Sequence, residues 1–294
     1  MNNMNTKALI IAGATLLVLI IGLVGYQLTN KPEIFLLARV GTPKKIKSAV
    51  MHGANVNSTD KAGATPLMIA AGENNDTVII KALVEAGAQL AAKDIDGNTP
   101  LMYAAHFNSN ASVTTALLEA GASVNDRNAN DMTPLMVAAE NNRNADVVAA
   151  LLQGGAKIDD RDSNGDTPLM YASRNNQNVK ITESLLRAGA KVDEKCGEGE
   201  TALSYAAQDN PSQHVLNALL AAGANINEPE NEGWTPLMLA ASNNTNPAII
   251  TILLKAGANA KLKSKEGKTA ADYAATNKKL KKTTVYDELR KAAG

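Results

Sequence analysis

Two short motifs recur along this chain at a fixed step of 34 residues, and nothing else in the sequence restricts its fold so tightly. Thr-Pro-Leu-Met begins at Thr65, Thr99, Thr133, Thr167 and Thr235. Thr201-Ala202-Leu203-Ser204 and Thr269-Ala270-Ala271-Asp272 fill the two remaining places in the series. A second mark keeps the same step through Gly53, Gly87, Gly121, Gly155, Gly189, Gly223 and Gly257, nearly always as Ala-Gly-Ala. Repetition on this scale means stacked supersecondary units, none of which buries its apolar face alone. Composition agrees: aromatic residues are only 3% of the chain, and an Ala, Leu, Ile, Val and Met core suits thin layers of short helices.

Each mark has a local physical reason. Thr before Pro is a good N-cap, and Pro suits the first helical position. The pattern predicts a first helix over residues such as Pro100 to Phe107, an Asn-rich turn, and a second helix such as Val113 to Ala120. Gly121 ends that helix, because glycine adopts the left-handed closing conformation most easily. Ser123-Val124-Asn125 then runs outward, and a turn such as Asp96-Gly97 returns the chain to the next Thr-Pro. Helices this short are marginal alone and persist by packing on neighbouring layers.

Thr-Pro-Leu-x-x-Ala-Ala followed by Ala-Gly-Ala resembles the ankyrin-repeat family. The step also admits tetratricopeptide repeats, but their Trp-Leu-Gly-Tyr pattern over longer helices is missing. The resemblance covers roughly residues 33 to 291. It implies an all-α solenoid with a helix-turn-helix and a hairpin-like loop in each unit. The chain departs from the family in two ways. Met68, Met102, Met136, Met170 and Met238 stand in the slot where the family has His, which exchanges a polar tie for flexible apolar filler. One extra residue per unit falls in Asn-rich segments such as Asn74-Asn75 and Asn141-Asn142. Asn tolerates left-handed backbone and caps helices, so turn chemistry is expected there, with a ladder used for recognition as the alternative. Ile34 to Asn57 reads as an N-terminal cap and Thr269 to Ala293 as a charged C-terminal cap, giving eight units over 34–293.

Upstream, residues 1–7 form a short tail and 29–33 a linker. Between them, Ala8 to Leu28 is a run of 21 residues without a charge. As a helix it spans roughly 31 Å, near the thickness of a bilayer's hydrocarbon core. We therefore expect one transmembrane helix of the signal-anchor kind before the solenoid. A cleaved signal peptide is the competing reading, though no Ala-x-Ala-like site follows the run. The expected location is a bacterial inner membrane, single-pass, with the repeats outside the cytoplasm. Lys31, Arg39, Lys44, Lys45 and Lys47 after the run favour the opposite, cytoplasmic side if the positive-inside rule is applied literally.

Catalytic chemistry is not legible. His52, His106 and His214 fall in different units and at different positions within them. Cys196 replaces a turn Asp and is expected to be an exposed thiol; as the single Cys it forms neither an internal disulfide nor a cysteine-cluster metal site. No phosphate loop and no nucleophile elbow appears, and Asp159-Asp160-Arg161-Asp162 lacks the spacing of a calcium loop. Net charge is zero, which gives no argument for nucleic acid. The chain is thus expected to be no enzyme, with no cofactor, metal, nucleic acid or small-molecule substrate.

The resemblance implies contact with another protein through hairpin tips and the concave face of the first helices. Carried onto this chain, the candidates are Ile95, Met132, Glu198, Glu200, Glu232 and Trp234 on tips, and His106, Phe107 and Arg174 on first helices. Trp234, the single Trp, either anchors an interface or covers the neighbouring hairpin. Tyr103, Tyr171, Tyr205 and Tyr273 share one repeat slot and are expected to pack. Tips from Asp159 to Glu232 are mostly acidic, whereas Lys261 to Lys291 holds ten basic and four acidic residues. That basic end is either a solvated cap or a surface for an acidic partner or lipid head groups. The expected function is a membrane-tethered, non-catalytic interaction scaffold or adaptor; the alternative is a dedicated inhibitor or regulator of one enzyme or toxin.

Overall fold

A computed structural model describes residues 33–281 and 283–294. The run 8–28, expected to cross a membrane, lies outside the described residues. Among the described residues no helix is long and apolar enough to do so.

Among the described residues, sixteen short helices form eight pairs. The first helices are α1 (33–40), α3 (Pro66–Glu73), α5 (Pro100–Phe107), α7 (Pro134–Asn141), α9 (Pro168–Asn175), α11 (Ala202–Gln208), α13 (Pro236–Asn243) and α15 (Ala270–Ala274). Their partners are α2 (Pro43–Met51), α4 (Thr77–Glu85), α6 (Ala111–Glu119), α8 (Ala145–Gln153), α10 (Val179–Arg187), α12 (Gln213–Ala221), α14 (Pro247–Lys255) and α16 (Thr284–Ala293). From α3 onward each first helix packs on the next, and from α2 onward each second helix packs on the next, so the layers form an all-α solenoid. Leu67, Leu101, Leu135, Leu169, Leu203 and Leu237 repeat in its core, each fully buried.

Caps start the helices as expected. The Thr99 hydroxyl accepts from Met102 N–H at 3.4 Å, and Thr65, Thr133, Thr167 and Thr235 repeat the bond. The methionines do more than fill space. The sulfurs of Met68, Met136 and Met170 accept from the backbone N–H of their capping Thr at 3.3–3.4 Å, closing the reciprocal half of each cap. Gly121 ends α6 with φ +99°, as expected.

The Asn-rich segments cap the following helices as expected, at Asn110, Asn144, Asn178 and Asn246, but differ from expectation in their backbone. No described Asn has positive φ; Asp131, at 63°, is the one described non-glycine that does. Instead, one Asn per unit is buried in an extended backbone and bonded to the unit before it. Asn142 Nδ2 donates to Ala105 O at 2.7 Å and Asn108 O at 3.0 Å, while its Oδ1 accepts from Asn144 N–H at 2.9 Å. Asn74, Asn108, Asn176, Asn210 and Asn244 repeat this arrangement one unit apart. A second rung runs outside it: Asn110 caps α6 through Ser112 N–H at 3.1 Å and donates to Asn75 O at 2.9 Å. The ladder is therefore internal framework, since its polar atoms are consumed by backbone groups that would otherwise be buried without partners.

Candidate functional site

In five hairpin tips one side chain, Asp60, Asp94, Asn128, Asp162 or Glu230, ties the turn. Asp94 Oδ1 accepts from Asp96 N–H at 2.9 Å and from Asn98 N–H at 2.7 Å, and Gly97 completes the turn at φ +78°. A Cβ at Gly97 would stand 2.8 Å from Ala129 N of the next tip, so only glycine fits there. Neighbouring tips are joined by backbone bonds, including Ile95 N–H to Ala62 O at 3.1 Å and Ala129 N–H to Asp96 O at 2.9 Å.

The tips are also joined to the first helices. Tyr103 O–H donates to Asp94 Oδ2 at 2.9 Å and Tyr171 O–H to Asp162 Oδ2 at 2.8 Å, both across nine residues. The same spacing pairs Tyr205 with Cys196 and Tyr273 with Ser264. The Tyr slot thus packs, as expected, and also braces the turn. The bracing was readable as a recurrent nine-residue spacing, but the sequence alone does not show both ends facing each other. Burial and the adjacent Asp94 carboxylate push the Tyr103 phenol well above its ordinary value, so it stays a donor at any physiological pH.

This bracing ties the tip to the first helix within one unit. Ile95 is held outward at the tip, 73% exposed. Tyr103, bonded to the neighbouring Asp94, has its ring centroid 5.8 Å from that of Phe107, and Phe107 lies 3.9 Å from the His106 ring. Phe107 remains 61% exposed although it also covers Gly72 of the preceding unit. Burial lowers the His106 pKa against the opposing pull of Glu140, so a neutral imidazole stands beside Phe107 at pH 7. Two candidates, His106 and Phe107, are therefore brought together beside Tyr103, and Ile95 stands on the tip that Tyr103 braces through Asp94.

A second group is polar. Arg174 lies 4.2 Å from the Tyr205 ring centre and its Nε donates to Asp209 at 3.2 Å. Tyr205 O–H donates to Asp166 Oδ1 at 2.9 Å. Glu198 and Glu200 line the same cleft. Burial raises the pKa of Asp166 and of Glu200. For a carboxyl raised in the fold, the favourable contribution is complete below its unfolded pKa and is lost as pH rises through the folded value. Asp166→Asn should thus match or exceed the parent in stability at pH 7. Urea melts below about pH 4 should show that advantage gone.

Other expectations are corrected. Met132 is not an accessible tip residue; it is buried, because an apolar side chain at that place turns into the core. Cys196 is buried too, drawn under the tip into the position where other units carry the bracing Asp. Glu232 stays exposed and lies 3.8 Å from Lys265 of the next tip. Trp234 stacks on Tyr273 of the following unit, with ring centroids 3.9 Å apart at 30°. That is the covering role rather than a free anchor. Trp234→Ala should cost about 1–3 kcal/mol of stability in thermal or urea melts. Among the described residues no group of three His, Cys, Asp or Glu is placed to hold a metal.

Comparison with known proteins follows the geometry. The sequence profile described as "Ankyrin repeats (3 copies)" matches residues 34–128, 107–196, 135–230, 175–264 and 203–285. Comparison with curated proteins gives no match. Among solved structures, the human ASB11 ankyrin repeat domain is similar with a TM-score of 0.68 and 28% identity, over 79% of this chain and 99% of that one.

Proposed function

We propose, from the premise that the chain belongs to the ankyrin-repeat family and so carries a protein–protein interaction module, that it is a non-catalytic scaffold which holds a partner protein against Ile95, Tyr103, His106 and Phe107 while residues 8–28 tether it to a membrane. One observation supports this most: large apolar side chains stay in solvent on a surface that is otherwise braced by internal bonds. Burying such rings is what anchors protein interfaces. The tether is supported by the uncharged run of 21 residues, which as a helix matches a bilayer core. A tether raises effective concentration toward other membrane proteins.

The test is crosslinking and capture of the full chain from intact membranes. A scaffold yields several membrane partners that share the same contact surface. A single partner whose activity changes on binding would replace this reading with that of a dedicated regulator. The side of the membrane is proposed to be extracytoplasmic and is checked with an impermeant thiol reagent. Because Cys196 is buried, the reporter should be Ser163→Cys, at an exposed tip, in a Cys196→Ser background.

A further inference from the structure

Among the described residues the exposed large apolar side chains are Leu36, Val40, Met51, Val78, Ile95 and Phe107. Three of these belong to the first unit. Leu36 occupies the place that is Ala70, Ala104, Ala138, Ala172, Ala206 and Ala240 in later units, all buried against the unit before them. Val40 occupies the place of the ladder asparagines such as Asn74 and Asn108, whose side chains also reach the preceding unit. Leu36 is 58% exposed and Val40 75%. Met51, 74% exposed, stands where later units have Glu85 and Glu119. A terminal repeat normally turns a polar face outward. The C-terminal unit does so with Asp287, Glu288 and Arg290 exposed on α16. The N-terminal unit, expected to be the cap at the other end, turns large apolar side chains outward.

Charge indicates what covers it. Between residues 33 and 59 there are four basic side chains, Arg39, Lys44, Lys45 and Lys47, and one acidic one, Glu33. All four are exposed, as is Glu33, and Lys44 and Lys47 line the groove between α2 and α4. Arg39 pairs with Glu73, but among the described residues no ion pair engages the three lysines. Chain continuity adds position: the uncharged run ends at Leu28, and residues 29–32 separate it from α1. Four residues reach at most about 14 Å. We infer that the N-terminal end of the solenoid docks on an anionic lipid surface, with Leu36, Val40 and Met51 entering the headgroup region and Lys44, Lys45 and Lys47 meeting phosphates. This rests on the reading that residues 8–28 lie in a membrane. A second copy fits worse, since joining two such faces would oppose their lysines. The upstream run fits worse as well, since it carries no charge for those lysines to meet.

Docking of this kind combines apolar insertion with electrostatic attraction, and neither alone holds firmly. The repeats would then stand at a set angle to the bilayer instead of swinging on the linker. The experiment uses the full chain in vesicles of phosphatidylcholine with or without phosphatidylglycerol. Met51→Cys in the Cys196→Ser background carries an environment-sensitive dye, with Ser163→Cys as the distant control. Quenchers placed near the lipid headgroups should quench the dye at position 51 and not at 163, and only in vesicles containing phosphatidylglycerol. Lys44→Gln, Lys45→Gln and Lys47→Gln together should weaken the docking equilibrium about a hundredfold at fixed ionic strength. A dye at 51 that stays in water while the chain resists alkaline extraction would overturn the docking and leave the tether standing. Loss of the chain on alkaline extraction would overturn both. Protection of position 51 that vanishes on diluting protein in lipid would assign the face to a second copy and overturn the inference.

Discussion

Asn142→Ala lowers the unfolding free energy by about 3–5 kcal/mol, read from the shift of the urea midpoint of the purified chain. The size follows from what the side chain serves. Its amide donates to two carbonyls of the preceding unit and its oxygen accepts one N–H of its own. The residue is buried, so water does not replace these bonds. Each buried group left without a partner costs about 1–3 kcal/mol, and alanine leaves three. Asn141→Ala, one residue earlier on the exposed side, should change stability by no more than about 0.5 kcal/mol. The contrast between two adjacent asparagines isolates the ladder from any general effect of changing Asn in a turn. Because a solenoid is coupled only through neighbours, the damage should centre on the units of α5 and α7 and show there as faster amide exchange.

Ile95→Ala with Phe107→Ala has the largest expected effect on binding. Both side chains are mostly exposed, so the melt should move little. Affinity for a captured partner should fall by at least about 2 kcal/mol, roughly thirtyfold, because truncating a central apolar anchor removes burial that the rim does not replace. The readout is a titration of purified partner against the parent and the double variant. Val78→Ala, an exposed apolar change on α4, is the matched control and should leave affinity unchanged. Phe107 also rests on Gly72, so a small loss of stability belongs to that contact and is measured separately.

Much of the fold was legible because its determinants are local. Thr99-Pro100 carries both the cap and the first helical position, so α5 begins and ends where the pattern places it. The second helix was less exact. It was expected from Val113 to Ala120 and runs from Ala111 to Glu119, since the cap is Asn110. Asn110 is placed by Asn108, whose side chain is held by carbonyls of the preceding unit. Which asparagine of each segment is buried therefore depends on atoms about one repeat away, which a local pattern does not display. The same holds at the tips. Whether Cys196 faces water or core is decided by Tyr205, and whether Trp234 is free is decided by Tyr273. Ile95 and Phe107 were legible as large apolar residues in places that vary between units. Their joining through Asp94 and Tyr103 required the folded turn.

A photo-crosslinking residue placed in turn at positions 107 and 78 of the membrane-borne chain tests most directly which face meets a partner. Position 107 lies on the braced first-helix side and position 78 on the second-helix side, and both are exposed. Irradiation should give discrete protein adducts from 107 and none above background from 78. Adducts from 78 alone, or equal and diffuse labelling from both, would show that the first-helix side is not where this chain holds other proteins.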